Sequence, residues 1–412
     1  MSNKQFTIAE TFVGCGGAHF GFRKSGGFET VFVNDIWSDA LQTLSQNEPT
    51  LDKKKIICED IKNIDESYLN KQGITNYKNI DVLVGGVVCK GFSLAGIRNP
   101  YDERNYLYIE QLRLVELMRP KISIIENVHG MLNMRILKKN NSKEVKKVCE
   151  VLNNTCINIK NTRGELIALN KKSNNSESEN IKDLNDNIEK TKAQLAKHKA
   201  TRSQLEKQLE QHKYKVIDDI EDRYKDLGYD VYKKVLTCSD YDCYTNRKRL
   251  FIVAVRKDLG VKWKYPEPTT ANNRPTVGDA FKKLDYENVN NPKNDKDNVP
   301  MNHRKSTIEK FKLISSDVKA KTGYFSRGTS SRLSMNKPAP TLVPGHSSFQ
   351  IHPTEHRSIT VREGAIITGF DKDFKFYGSH SSRCMQIGNA WPVDVARHLA
   401  EQCKKTLASI RK

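Results

Sequence analysis

Phe6-Thr7-Ile8-Ala9-Glu10-Thr11-Phe12-Val13 runs directly into Gly14-Cys15-Gly16-Gly17. An apolar, β-branched run closed by glycines reads as a buried strand, a tight turn and the start of a helix. Four shorter runs of the same kind follow: Thr30-Val31-Phe32-Val33, Ile56-Ile57-Cys58, Asp81-Val82-Leu83-Val84 and Ile122-Ser123-Ile124-Ile125. Strands alternating with helix-length polar segments predict an α/β fold, a Rossmann-like, mostly parallel sheet with helices on both faces. Ligands of such sheets bind at the carboxyl ends of the strands, so the polar groups there carry the most information.

Further along, residues 138–213 break the alternation, with 17 Lys/Arg against 10 Asp/Glu and almost no aromatics. Val145, Val148, Leu152, Thr155, Ile159, Thr162, Leu166 and Leu169 form one 3-4 series. Ile181 to Val216 forms a second, after the polar break at 171–176. Two heptad arms across a Ser/Asn turn predict an inserted antiparallel helical hairpin, coiled-coil-like, with a frayed solvated insertion as the bland alternative. Strands resume at Tyr229–Leu236 and Arg249–Val255, and a stretch rich in Pro, Asn, Ser and Thr from Pro266 to about His356 reads as a smaller, loop-rich domain. The last 25 residues regain helical amphipathicity at Val393, Ala396, Leu399 and Cys403. The resulting plan is 1–137 and 214–265 as two parts of one catalytic domain, 138–213 as the insertion, 266–384 as the small domain and 385–412 as a returning helix.

Composition narrows the function classes. Lys+Arg total 69 against 49 Asp+Glu in 412 residues, so the net charge is 69 − 49 = +20. That surplus points to a polyanionic partner, a nucleic acid or an acidic membrane surface. No apolar run nears the roughly 20 residues of a membrane span, and the N-terminus lacks the apolar core of a signal peptide. Nine cysteines, an odd number with no CxxC pair, predict a reduced intracellular protein without a disulfide framework or a zinc ribbon.

Taken alone, the glycine turn at Gly14, Gly16 and Gly17 serves mononucleotides, dinucleotides or simple close packing. Asp35, at the next strand end, suits two ribose hydroxyls, and Asp60, after the third, suits an adenine amine. Together they predict an adenosine-containing ligand; the bland alternative is loop glycines and solvated carboxylates. Cys89 follows the strand end Gly85-Gly86, Glu126 ends the strand at Ile125, and Arg247 and Arg249 enter a strand at i, i+2. A lone Cys is usually a small buried hydrophobe and a lone Glu a solvated one. Thiol, carboxyl and guanidinium at sheet ends beside an adenosine pocket form an active-site constellation.

With these residues in view, the chain resembles the DNA (cytosine-5) methyltransferases of prokaryotic restriction–modification type. Matching elements occur in the family's order: Phe12 to Gly17, Asn34-Asp35-Ile36, Asp60-Ile61, Gly85 to Ser93, Glu126-Asn127-Val128, Arg247 with Arg249, Arg357 to Glu363, and Gln386 to Pro392. Two departures stand out. Val87-Val88-Cys89-Lys90 replaces the usual Pro-Pro-Cys-Gln, and Thr245 replaces the Gln that opens the arginine motif. Proline fixes φ and carries no N–H, so Val88 leaves the thiol loop less constrained.

The resemblance implies S-adenosylmethionine as cofactor, held by Phe12, Gly14, Gly16, Gly17, Asp35, Ile36, Asp60, Ile61, Asn105, Leu107, Asn389 and Ala390. It implies a Cys89 thiolate adding to carbon 6 of a flipped cytosine, Glu126 protonating N3, and Arg249, supported by Arg247, holding the base oxygen. It places target recognition in the small domain, with Ser93, Arg327, Arg332 and His346 as DNA-contact candidates. Double-stranded DNA is the expected partner, with a cognate restriction endonuclease beside it and a cytoplasmic, nucleoid-associated location. No membrane or metal is expected, and the insertion is left to DNA contact or to docking of another protein. Two alternatives are a catalytically weakened DNA-binding regulatory paralogue, motivated by Val87-Val88, and a tRNA cytosine-5 methyltransferase.

Overall fold

The computed structural model describes residues 5–87, 103–138, 142–173, 181–284, 295–315, 331–343 and 349–410. Two compact units are present: Met1–Cys89, Tyr106–Met131 and Ile220–Lys412 in one, Lys90–Asn105 and Leu132–Asp219 in the other.

The first unit holds a seven-stranded sheet of β1 (Phe6–Thr11), β2 (Phe28–Asp35), β3 (Ile56–Cys58), β4 (Val82–Gly85), β5 (Ile122–Val128), β8 (Tyr229–Thr237) and β9 (Lys248–Arg256). Their order is β3-β2-β1-β4-β5-β9-β8. The five N-terminal strands pair in parallel, and β9 and β8 add an antiparallel edge. Continuous apolar runs are what doubly covered strands need: Val31, Phe32, Val33, Val82, Leu83, Ile122, Ile124 and Ile125 are all fully buried. The chain leaves β1 toward β2 in one direction and β4 lies on the other side, so the switch point falls between β1 and β4. There the crevice for a ligand opens.

Helix α1 (Gly17–Ser25) packs on α12 (Val393–Ala408) closely enough that a Cβ on Gly21 would stand 2.4 Å from the Ala396 Cβ. That core includes Phe22, Val84, Phe251, Trp391 and Leu399. A second core brings Val13, Phe20 and Leu44 together with Phe281, Leu333, Ile359 and Phe376. The described part of 266–384, read in sequence as a small domain, thus packs into the same compact unit as the sheet.

The second unit is built on α5 (Lys143–Ser173) and α6 (Ile181–Leu209), closed at its base by the antiparallel pair β6 (Arg135–Leu137) and β7 (Lys213–Lys215). Val145, Leu152, Thr155, Ile159 and Thr162 of α5 and Ile188, Leu195 and Leu209 of α6 are buried along the seam. The second heptad series does not continue as one helix to Val216. Helix α6 stops at Leu209, a turn covers Glu210–His212, and Val216 opens α7 (Val216–Asp226) after β7. No helix of the described residues is long and apolar enough to cross a membrane.

Candidate active site

At the end of β1 the chain turns abruptly. Phe12 adopts φ 51°, followed by Gly14 at 56° and Gly16 at 96°. A left-handed phenylalanine is costly and persists where its surroundings fix it. The fixing bonds come from the end of β2: Val13 N–H donates to the Asn34 carbonyl at 3.1 Å, and Gly14 N–H to Asp35 Oδ2 at 2.8 Å. Asp35 Oδ1 also accepts from Trp37 N–H at 2.9 Å, and burial raises the pKa of this carboxyl despite those donors. Gly17 meets a different demand. A Cβ there would lie 2.3 Å from the Trp391 carbonyl oxygen.

The remaining cofactor candidates are placed as follows. Ile36 is 70% exposed beside Asp35. Asp60 caps a short turn by accepting from Lys62 N–H, with Ile61 buried behind it. Leu107 opens α4 (Leu107–Met118) and Asn105 lies buried in the preceding turn. Asn389 ends α11 (His380–Asn389), followed by buried Ala390.

The second half of the site forms where β5 meets β9. The antiparallel register sets Glu126 opposite Phe251 and Val128 opposite Arg249. Arg249 Nε stands 2.8 Å from Glu126 Oε1 in a pair with both side chains 9% exposed. The contact is close but poorly aimed, so Oε1 lacks a well-formed hydrogen bond among the described residues. Burial pushes the Glu126 pKa up; the Arg249 and Arg247 charges and the Trp391 N–H oppose that rise without cancelling it. Arg247 is fixed by donating Nη1–H to the Gly388 carbonyl at 2.7 Å. Asn127 donates from Nδ2 to the Val87 carbonyl at 3.2 Å, tying the Glu126 strand to the segment that leads to Cys89.

Cys89, Ser93, Arg327 and His346 lie outside the described residues. Arg332 corrects the expectation of a DNA contact. Its guanidinium is buried and donates to the carbonyls of Phe311, Ile314, His352 and Glu355. A side chain so committed holds its own loops together and has no fork left for a base edge.

Two participants escaped the sequence reading. Trp391 is buried, stacks edge-on to Phe251 at 5.3 Å and crowds both glycine turns: a Cβ on Gly86 would stand 3.0 Å from its Nε1. Gln111 of α4 bonds the Thr11 hydroxyl and lies flat on Gly85. Trp391 sat inside a quoted motif; Gln111 carried no signal beyond a polar residue on an apolar helix face.

The candidate site is thus a glycine turn beside a parallel-sheet switch point together with a buried carboxyl–guanidinium pair where β5 meets β9. The family model for C-5 cytosine-specific DNA methylases matches residues 6–218 and 205–405. The chain therefore belongs to that family of DNA (cytosine-5-)-methyltransferases. It is 27% identical over 432 residues to the Type II methyltransferase M.Eco47II of Escherichia coli, covering 100% of this chain and 82% of that one. It is 25% identical to the Type II methyltransferase M.FnuDI of Fusobacterium nucleatum, covering 98% and 96%. In fold it is similar to an E. coli prophage-encoded chain described as a DNA modification methyltransferase, with TM-score 0.64, 21% identity and coverage of 98% and 100%.

Proposed function

We propose that the chain methylates carbon 5 of a flipped cytosine within a specific duplex sequence, as the modification member of a restriction–modification pair, through a covalent bond to Cys89. The observation that carries this reading is Glu126: a buried carboxyl with a raised pKa, next to two arginines, at the strand end tied to the Cys89 segment. A ring nitrogen such as N3 gains basicity as a nucleophile adds across the adjacent double bond. A carboxyl whose protonated form is favoured by burial is suited to supply that proton.

The family implies S-adenosylmethionine, and the rim of β1 and β2 fits an adenosine. Asp35 accepts from Gly14 N–H on Oδ2 and from Trp37 N–H on Oδ1, and a carboxylate has further acceptor capacity for a hydroxyl donor. Exposed Ile36 and partly exposed Phe12 offer apolar faces for a base. When bound, the cofactor supplies an electrophilic methyl group on a sulfonium.

The chain's own residues do the rest. The Cys89 thiolate adds to carbon 6, Glu126 protonates N3, and Arg249 holds the base oxygen, with Arg247 maintaining positive potential behind it. Once carbon 5 carries the methyl group, a base removes the carbon-5 proton, the ring double bond re-forms as the carbon–sulfur bond breaks to release Cys89, and N3 returns its proton to Glu126. Because carbon 6 is shielded in a stacked duplex, the base must leave the helix first.

The test is trapping. With S-adenosylmethionine and duplex carrying 5-fluorocytosine at the target, fluorine cannot leave as a cation, so release stalls. The full chain should then show a denaturation-resistant gel shift that Cys89→Ser abolishes. Absence of any such species with the wild-type chain would favour the regulatory DNA-binding alternative.

A further inference from the structure

The hairpin of α5 and α6 holds none of the candidate catalytic or cofactor residues, and its charges are unevenly placed. The buried seam fixes its heptad register, with Val145, Leu152 and Ile159 at one core position of α5 and Ile188, Leu195 and Leu209 at the matching position of α6. In an antiparallel pair with this register, the residues just after each core position share one flank across both helices. That flank presents Lys146, Lys160 and Arg163 from α5 and Lys182, Lys192 and Lys199 from α6, all exposed.

Its acids are Glu189 and Glu206. Both are already engaged, Glu189 by Lys192 at 2.7 Å and Glu206 by Arg202 at 2.8 Å. Six cations less two acids leave the flank at 6 − 2 = +4. The opposite flank sets Lys147, Lys172, Lys190 and Lys197 against Glu144, Glu165 and Asp183, or 4 − 3 = +1. The outer face sets Lys143, Lys171 and Lys207 against Glu150 and Asp186, or 3 − 2 = +1. The surplus is therefore concentrated on one side.

We propose that this flank binds the phosphate backbone of duplex DNA outside the target site, independently of sequence. The geometry suits a regular polyanion. Lys146 and Arg163 are 17 residues apart, about 26 Å along a helix, which matches seven or eight phosphates spaced about 3.4 Å along one strand. The composition argues against a docked protein. Interface anchors are usually aromatic or Arg residues in a desolvated patch, and among the described residues of the flank the only exposed large apolar group is Ile167, while its one arginine, Arg163, is exposed.

This inference rests on the proposed DNA substrate, and the experiment separates the two. The full chain and a variant carrying K146Q, K160Q, R163Q, K182Q and K199Q are titrated, by anisotropy, against a roughly 30-base-pair duplex lacking the target, over a series of salt concentrations. A control carries K147Q, K171Q, K190Q, K197Q and K207Q. Each lost phosphate contact removes about 0.9 from the slope of log K against log salt. The flank variant should lose two to four units of slope and bind at least tenfold more weakly, the control less than one unit. Shortening the duplex to about 12 base pairs should bring the flank variant level with wild type. Equal losses in the two variants would reduce the effect to bulk charge, and no loss in either would leave the flank to an acidic protein; each overturns the proposal. A wild type that binds no duplex overturns both proposals, whereas a flank effect that persists without any fluorocytosine adduct overturns the proposed function alone.

Discussion

Glu126 and Val88 are the two residues whose chemistry can be varied without altering the reacting groups around them. Burial, opposed by Arg249 and Arg247, raises the Glu126 pKa. Its protonated form therefore extends toward neutral pH, and activity that depends on it should fall as pH rises through that raised value. Glu126→Gln keeps the shape and an N–H donor but has no proton to give. The substitution should lower kcat by about 10²–10⁴ and flatten that limb of the pH–rate profile; a variant with the same falling limb as wild type would assign the titration to another group. Val88 poses the opposite question. Val88→Pro would restrict the backbone immediately before Cys89, so turnover should rise or hold. Measured single-turnover rates would decide it, and a tenfold fall, about 1.4 kcal/mol in barrier, would mean that the loop has adapted to valine.

At the scale of elements, three are bound by one buried polar cluster. His19 of α1 pairs its Nδ1 with Glu10 of β1 at 2.7 Å and faces Glu48, just past α2 (Ser38–Asn47), at 3.7 Å. Arg23 reaches the same Glu48 oxygen, Oε2, at 2.6 Å. Burial alone would lower the His19 pKa, but Glu10 and then Glu48 outweigh it and raise the value to about 9. A histidine whose folded pKa exceeds its unfolded 6.5 stabilises fully below that value and ceases to as pH rises through about 9. A shift of that size is on the order of 3 kcal/mol. The denaturation midpoint of wild type should drop more between pH 7 and pH 9.5 than that of His19→Gln; parallel curves would show that the imidazole is not charged in the fold. Nothing in the sequence announced this cluster, because Glu10 reads as an interruption of a strand and Glu48 as a solvated loop acid. The parallel strands were legible because double burial demands unbroken apolar runs, and the hairpin because 3-4 spacing survives even weak seam residues such as His198 and Arg202. What stayed hidden depends on distant chain. Arg332 looked like a free loop arginine because its four carbonyl acceptors converge only in three dimensions. The left-handed Phe12 looked like one more strand residue, since Phe12-Val13 prolongs the apolar run.

On the scale of the whole molecule, one compact unit holds the sheet, and the other holds the hairpin together with Lys90–Asn105. Glu126, Arg247, Arg249, the glycine turn and Asp35 all belong to the unit that contains the sheet, and so do the cores around them. The hairpin has its own small core, with Leu137, Val145, Leu152 and Leu209 buried together. At its base the β6–β7 register sets Leu137 directly opposite Lys213. Strands so paired can be rejoined by a short turn, so replacing residues 140–210 with a brief Gly/Ser linker should not strain the sheet. The shortened chain should unfold cooperatively and bind S-adenosylmethionine within about twofold of wild type by calorimetry, about 0.4 kcal/mol. Its affinity for duplex DNA should fall to a similar degree on target and non-target sequences, with a shallower salt dependence, because the arm supplies charge and no base contact. Loss of cofactor binding would show that the sheet leans on the arm for its stability. A loss confined to the target sequence would make the arm part of recognition, since a uniform backbone contact lowers both affinities together and leaves their ratio unchanged.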